Sequence, residues 1–352
     1  MTPIDPRPPR APLDGVPPEA VAEVAVPPPP GAILEGAPLR LEDPLSLAAA
    51  KIIGLQLLRL REHDPGTRTG EDPEALHDMR VASRRLRAAV GHFRRGIPDP
   101  VHERLARDLR WLGGLLGAVR DLDVQRERLE RAAAPRPVRE RRVLARLGIA
   151  FADGRRAARE RLLKGLQSRR YFRLLDTLAQ IAGNPSVAGE TLATGAERSV
   201  GRALRRFERA AEAALAEPGA ERLHRLRIAA KRLRYLLEFL GDILGEVSRR
   251  PLKGLVALQD LLGAHQDAIV AADRILAFLT SDSAPGGLVE RGCLEAAAGR
   301  ELLQARQIRA GAPAVLRPLC GRRGEKWRAR LLAALPPPPA AERPAKGRGR
   351  PR

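Results

Sequence analysis

Between Leu76 and Val90 the apolar and small side chains fall at Leu76, Met79, Ser83, Leu86 and Val90, spaced three and four apart. Wound at 100° per residue, these positions share one helix face, and His77, Arg80, Arg84 and Arg87 share the opposite one. The spacing predicts an amphipathic helix whose polar side is a row of cations. The same division returns 147 residues later. There Leu223, Leu226, Ala230, Leu233 and Leu237 oppose His224, Arg227, Lys231 and Arg234, with Arg85 and Arg232 at the flanks of their respective helices. No carboxylate is expected at the i+3 or i+4 positions that would pair these cations along the helix, so both stripes read as unpaired.

The recurrence is an internal repeat rather than a shared periodicity. Leu76-His77-Asp78-Met79-Arg80-Val81-Ala82-Ser83-Arg84-Arg85-Leu86-Arg87 returns as Leu223-His224-Arg225-Leu226-Arg227-Ile228-Ala229-Ala230-Lys231-Arg232-Leu233-Arg234. A second echo, Leu112 to Asp121 against Leu258 to Asp267, keeps almost the same separation, 146 residues. A unit of about 145 residues is therefore duplicated. Each unit reads as a cationic helix, a second amphipathic helix, a glycine-containing break, and a further helix starting near Asp121 or Asp267, where an Asp suits an N-cap.

The remaining middle of the chain is also helical in character. Ala, Leu, Arg and Glu dominate, and no period-2 run indicates a strand. Breaks are expected at Asp64-Pro65-Gly66, which should end the first helix, and around Gly96-Ile97-Pro98-Asp99-Pro100, Pro135-Arg136-Pro137, Gly183-Asn184-Pro185, Glu217-Pro218-Gly219 and Ser283 to Gly287. Asp72-Pro73 supplies an N-cap and a first-turn proline for the cationic helix. Helical intervals of about 12 to 30 residues suit bundles rather than short solenoid repeats. The expected class is all-α, with repeat halves at about 43–190 and 191–335. Residues 1–42 and 336–352, rich in proline and without periodicity, are expected to be disordered.

Charge then sharpens the picture. The chain carries 63 Lys and Arg against 42 Asp and Glu, a net charge of +21, and a pI near 11.3. Residues 1–42 are net negative and the last 17 net positive, so nearly all of the excess belongs to the helical middle. Such a balance points to an acidic partner. With aromatics at 3%, the core has to be built from aliphatic side chains. Two cysteines without metal spacing, no apolar leader and no long apolar run point to a reducing, cytoplasmic setting without a membrane span. None of the six histidines pairs in a metal-binding pattern, no phosphate-binding glycine loop is present, and no paired-carboxylate or nucleophile signature appears. No metal, cofactor or catalytic residue is expected, and the protein is read as non-enzymatic.

The duplicated stripes are the candidate chemistry. Arginine suits phosphate because its fork donates two hydrogen bonds at once. His77 and His224 open equivalent stripes and could donate to phosphate oxygens, the more so as pH falls.

The doubled His-x-x-Arg-x-x-x-(Arg/Lys)-(Arg/Lys)-Leu-Arg pattern, each copy followed by Leu-Gly-x-x-x-Asp, resembles the CHAD family (conserved histidine α-helical domain). The resemblance covers residues about 43 to 335, including Trp327 and Leu331 near its end. It implies two pseudo-symmetric four-helix bundles around a basic central cavity that binds inorganic polyphosphate, and association with polyphosphate granules. By motif it implicates His77, Arg80, Arg84, Arg85 and Arg87 with His224, Arg227, Lys231, Arg232 and Arg234. Lys51, Arg110 and Lys253, on accompanying helices, match the family less closely. The Glu-x-Glu-x-Lys mark of a triphosphate-tunnel domain is absent, which suggests a stand-alone member. The alternative is a nucleic-acid-binding protein using the basic face and the AT-hook-like Arg348-Gly349-Arg350-Pro351. Against it stand the scarce aromatics and the lack of helix-turn-helix or zinc-finger spacing. A scaffold for an acidic protein is a third reading. Oligomeric state is not set by any of these features.

Overall fold

The computed structural model describes residues 37–186 and 189–336. Twelve α-helices follow one another among them. In the first half they are α1 (Leu45–Glu62), α2 (Asp64–Thr69), α3 (Pro73–His92), α4 (Asp99–Ala133), α5 (Val138–Leu166) and α6 (Arg169–Gly183). In the second they are α7 (Leu192–Ala216), α8 (Ala220–Phe239), α9 (Gly241–Leu244), α10 (Glu246–Leu279), α11 (Leu288–Leu316) and α12 (Gly321–Ala333). The described residues contain no strand beyond an isolated bridge between Pro44 and Thr191. The AT-hook-like tail motif and most of the two terminal segments expected to be disordered lie outside the described residues.

The cationic repeats occupy α3 and α8, and their apolar faces are buried as the spacing predicts. Leu76, Met79, Ser83, Leu86 and Val90 are at most 6% exposed, and Leu223, Leu226, Ala230, Leu233 and Leu237 at most 2%. Each such leucine contributes about 1.5–3 kcal/mol by leaving water. The Asp72 side chain caps α3 by accepting from the Glu74 N–H at 2.8 Å, with Pro73 in the first turn.

Helices α1, α3, α4 and α6 pack as one bundle; α7, α8, α10 and α12 form a second in the same order. Helices α5 and α11 fold back on α4 and α10 as long hairpins. One hydrophobic core runs through both bundles. A smaller cluster fastens the hairpin ends together, Val143, Leu147 and Phe151 of α5 meeting Ile275 and Phe278 of α10 and Leu294 of α11. Residues 37–43 join this body ahead of the expected boundary at 43. The Leu39 N–H donates to Asp242 at 3.0 Å, and Leu192 and Ala193 at the start of α7 donate to the Asp43 and Leu41 carbonyls at 2.7 and 2.8 Å.

One expectation about boundaries is corrected, one is refined, and one turn was not expected. No break precedes Asp121 or Asp267, and neither is an N-cap: α4 and α10 run unbroken for 35 and 34 residues. A mid-helix glycine costs about 1 kcal/mol relative to alanine, which a helix packed along its length offsets. Gly117 in α4 is buried, with the Arg80 Nε 3.7 Å from where a Cβ would stand, so its smallness admits that side chain. Asp64-Pro65-Gly66 does not simply terminate α1; it opens the short α2, where Asp64 is fully buried and held by Arg68 and the Tyr171 hydroxyl. The turn between α5 and α6 at Gln167-Ser168 carries no proline or glycine signal, and Ser168 caps α6 by accepting from the Tyr171 N–H at 3.3 Å.

Candidate functional site

Helices α3 and α8 meet at the middle of the molecule, joined by ring contacts of Phe239 with His92 and Phe93. Beside this crossing lies a cavity of about 730 Å³. Helix α3 contributes Arg84, Arg87, Ala88, Gly91 and His92, and α8 contributes Arg227, Ile228, Lys231, Arg232 and Tyr235. Helix α4 adds His102, Ala106 and Arg110, one turn apart, and α7 adds Arg206. Seven lining side chains are arginine or lysine and none is a carboxylate. Among the described residues, no carboxylate oxygen comes within 4 Å of any of those seven charges.

This crowding has electrostatic consequences. Burial pushes the Lys231 amine down to about 7, helped by the surrounding Arg227, Arg84, Arg80 and Arg87 charges. Burial also takes His92 down to about 4, so its ring is neutral at neutral pH; Arg232 and Arg206 add to that effect, and the Arg232 backbone partly offsets it. The Arg84 and Arg234 guanidinium carbons stand 5.7 and 5.1 Å from the Tyr235 ring centre, so the ring's electron-rich faces soften part of the repulsion. The Arg84 Nε, the His102 Nδ1 and the Tyr235 hydroxyl are sealed from solvent without a hydrogen-bond partner among the described residues. Polar groups left in that state cost about 1–3 kcal/mol each. A polyatomic anion in the cavity would supply the negative charge that the lining lacks.

Of the residues singled out from the sequence, Arg84, Arg87, Arg110, Arg227, Lys231 and Arg232 line the cavity. The others do not. Arg80 donates to Asp121 at 3.3 Å; burial lowers its pKa, and the Asp121 charge partly restores it. Arg85 bonds to Glu238 on α8, and the Arg234 Nε lies 3.4 Å from the same carboxylate. Arg234 is thus not unpaired: Glu238, one turn past the repeat, stands at i+4. His77 is half-buried away from the cavity and its Nδ1 has no partner among the described residues, while His224 is exposed. Lys51 is removed from the site altogether, since it pairs with Asp43 at 2.7 Å and donates to the Pro38 carbonyl at 2.9 Å, holding residues 37–43 on α1. Lys253 is exposed on α10 and lies outside the lining.

Sequence reasoning missed Arg206, His92, His102 and Tyr235, which lie outside the shared stripe positions. It also misread Asp121 and Asp267. Both sit mid-helix beside the cations; burial raises the Asp267 carboxyl, with Asp121 adding and Arg227, Arg128 and Arg80 opposing. The Leu-Gly-x-x-x-Asp echo was the signal for them, and it marks charge partners instead of helix starts.

Comparison with known proteins gives the following. The family model for the CHAD domain matches residues 51–276. The uncharacterized proteins MT2285 and Rv2226 of Mycobacterium tuberculosis are each 32% identical over 213 residues, which make up 58% of this chain and 40% of theirs. The chain thus spans well under half the length of the curated relatives it matches. The crystal structure of the CHAD domain from the plant Ricinus communis is 28% identical with a TM-score of 0.65, covering 82% of this chain and 97% of that one. PptA from Streptomyces chartreusis, at 18% identity and a TM-score of 0.66, covers 78% of this chain and 99% of its own and shows the shared fold.

Proposed function

The chain belongs to the CHAD domain family, and from that premise we propose that it binds inorganic polyphosphate in the cavity beside the α3/α8 crossing, without chemically altering it. The observation that supports this most is the lining of seven lysine and arginine side chains with no carboxylate. Polyphosphate carries about one charge per phosphate and has no bases, so it needs cations on facing walls and nothing to stack on. Arginine forks answer that need. The lining offers no carboxylates to hold the divalent ions that phosphoryl transfer relies on, which supports binding rather than turnover. Placement at polyphosphate granules, in the cytoplasm, follows from the same reading. No described helix is long and apolar enough to cross a membrane.

Nucleic acid is the weaker reading. Single-stranded binding leans on exposed aromatic platforms, and the one Phe, Tyr or Trp in the lining, Tyr235, is 4% exposed and flanked by two guanidinium groups. The test is a competition between long-chain polyphosphate and duplex DNA of equal charge at fixed salt, with chain length followed over hours. Polyphosphate should displace DNA and keep its length. Preferred retention of DNA would overturn the ligand, and shortening of the chains would overturn the claim that no chemistry occurs.

A further inference from the structure

The two repeats diverge one turn past their last arginine. Gly91 stands there on α3, and Glu238 stands 147 residues later on α8. The Glu238 carboxylate bonds to Arg85 of the facing helix and forms an ion pair without a hydrogen bond, at 3.4 Å, with the Arg234 Nε of its own, and all three side chains are only 19–24% exposed. The counterparts of Arg234 and Arg85 in the other repeat are Arg87 and Arg232. Both line the cavity, as does Gly91 itself. A Cβ at Gly91 would meet nothing within 4 Å. Among the described residues, corresponding cations are therefore paired with a carboxylate at Glu238 and have none within 4 Å on the Gly91 side.

We propose that Glu238 is a specificity-determining residue of the polyanion site: a tethered carboxylate that occupies Arg85 and Arg234 and confines the anion track to the Gly91 side. The inference rests on the polyphosphate reading above. A carboxylate fixed beside two partly desolvated guanidinium groups acts at high effective concentration, so a soluble phosphate must displace it to reach them. The site consequently takes a short run of phosphates at its open side, rather than a chain wrapped around the α3/α8 crossing.

Four variants of the full chain test this against long-chain polyphosphate and tripolyphosphate. Glu238→Gln keeps the size and removes the charge. Long-chain affinity should rise about tenfold at low salt, the scale of one partly screened charge. Its salt dependence should steepen as two more cations engage, and the long-to-short affinity ratio should rise with it. Gly91→Glu places the same carboxylate where it can reach Arg87 and Arg232, and should bind about tenfold more weakly than Gly91→Gln. Unchanged long-chain affinity and salt dependence in Glu238→Gln, with the fold intact, overturns the proposal. If Glu238→Gln does not fold, the Gly91 pair decides, and equal affinities of Gly91→Glu and Gly91→Gln overturn it. Lys231→Ala separates the two levels. If it binds polyphosphate as tightly as the parent, the polyphosphate reading itself fails; if it binds weakly while the Glu238 and Gly91 variants show no effect, only the role of Glu238 fails.

Discussion

Helices α4 and α10 occupy the same place in their bundles and carry the same echo, yet they treat the neighbouring cationic helices differently. Helix α4 turns His102, Ala106 and Arg110 toward the cavity. At the spacing of the echo, α10 has Ser248 and Val256 where α4 has His102 and Arg110. Ser248 is spent on the Gly245 carbonyl, to which its hydroxyl donates at 2.8 Å. Helix α7 likewise provides Arg206, whereas Arg59, 147 residues earlier on α1, sits in a small cavity with Glu62 and Asp78. The repeated stripe thus fixes which helix faces are cationic, and the residues around it decide which cations remain available. Charge has been concentrated on one side of a duplicated frame.

The largest expected effect tests whether the seven cavity cations act together. Raising salt from about 50 to 200 mM should weaken polyphosphate binding roughly a thousandfold, as counterions released on binding are no longer favoured to leave. Fluorescence titrations at several salt concentrations check this, and a flat response would remove the distinction between the two sides. Next in size, Arg84→Ala with Lys231→Ala should cost about a hundredfold in affinity, since each charge-assisted contact is worth about 1.5–3 kcal/mol and part of that is screened. Both residues line the one cavity, so a double-mutant cycle should show coupling between them.

Acidity gives a smaller and more diagnostic effect. In the free protein Lys231 titrates near 7, well below its ordinary value, and a bound polyanion favours the charged form. Affinity should therefore fall as pH rises above about 7, by at most tenfold per unit, and Lys231→Arg should flatten the profile. Calorimetry in two buffers of different ionisation heat should register the proton taken up on binding. Stability of the free protein should move the opposite way. Above pH 7 the unfolded chain retains the proton that the folded Lys231 has lost, so resistance to unfolding grows with pH up to the ordinary lysine range. The smallest effect on affinity is expected from Lys51→Ala, outside the cavity. It should leave polyphosphate binding unchanged while lowering stability by about 1–3 kcal/mol, because it leaves the buried Asp43 carboxylate without its counter-charge and with the Arg40 N–H as its remaining donor. Thermal unfolding beside a binding titration separates the two.

Much of the fold was legible in the sequence because helix faces obey a local rule. Burial of Leu76, Met79 and Leu86, and of their counterparts, needed only the 100° periodicity and the solvent. The shared family carried the bundle pairing. The site was legible only in part. Six of thirteen named residues line the cavity, and four of the other seven have a common feature. Arg80, Arg85, Arg234 and Lys51 are neutralised by Asp121, Glu238 and Asp43. All but the Arg234 to Glu238 pair lie beyond a local helix turn. Lys51 was placed through family likeness alone. Arg206 and His102 were invisible for the converse reason: nothing adjacent in sequence marks them, and only packing brings them to the lining. The glycine-rich echo misled because a break signal read locally ignores the support of a helix packed on its neighbours.

The core that crosses from one bundle to the other has a mechanical consequence. The two walls of the cavity stand on one continuous packed core, so moving one against the other would disturb close-packed contacts. Under the proposed function, the like charges are assembled during folding, ahead of any anion. Capture should then be governed by diffusion along the protein's long-range field, with speed that rises as salt is withdrawn, and stopped-flow association rates measured against salt check this.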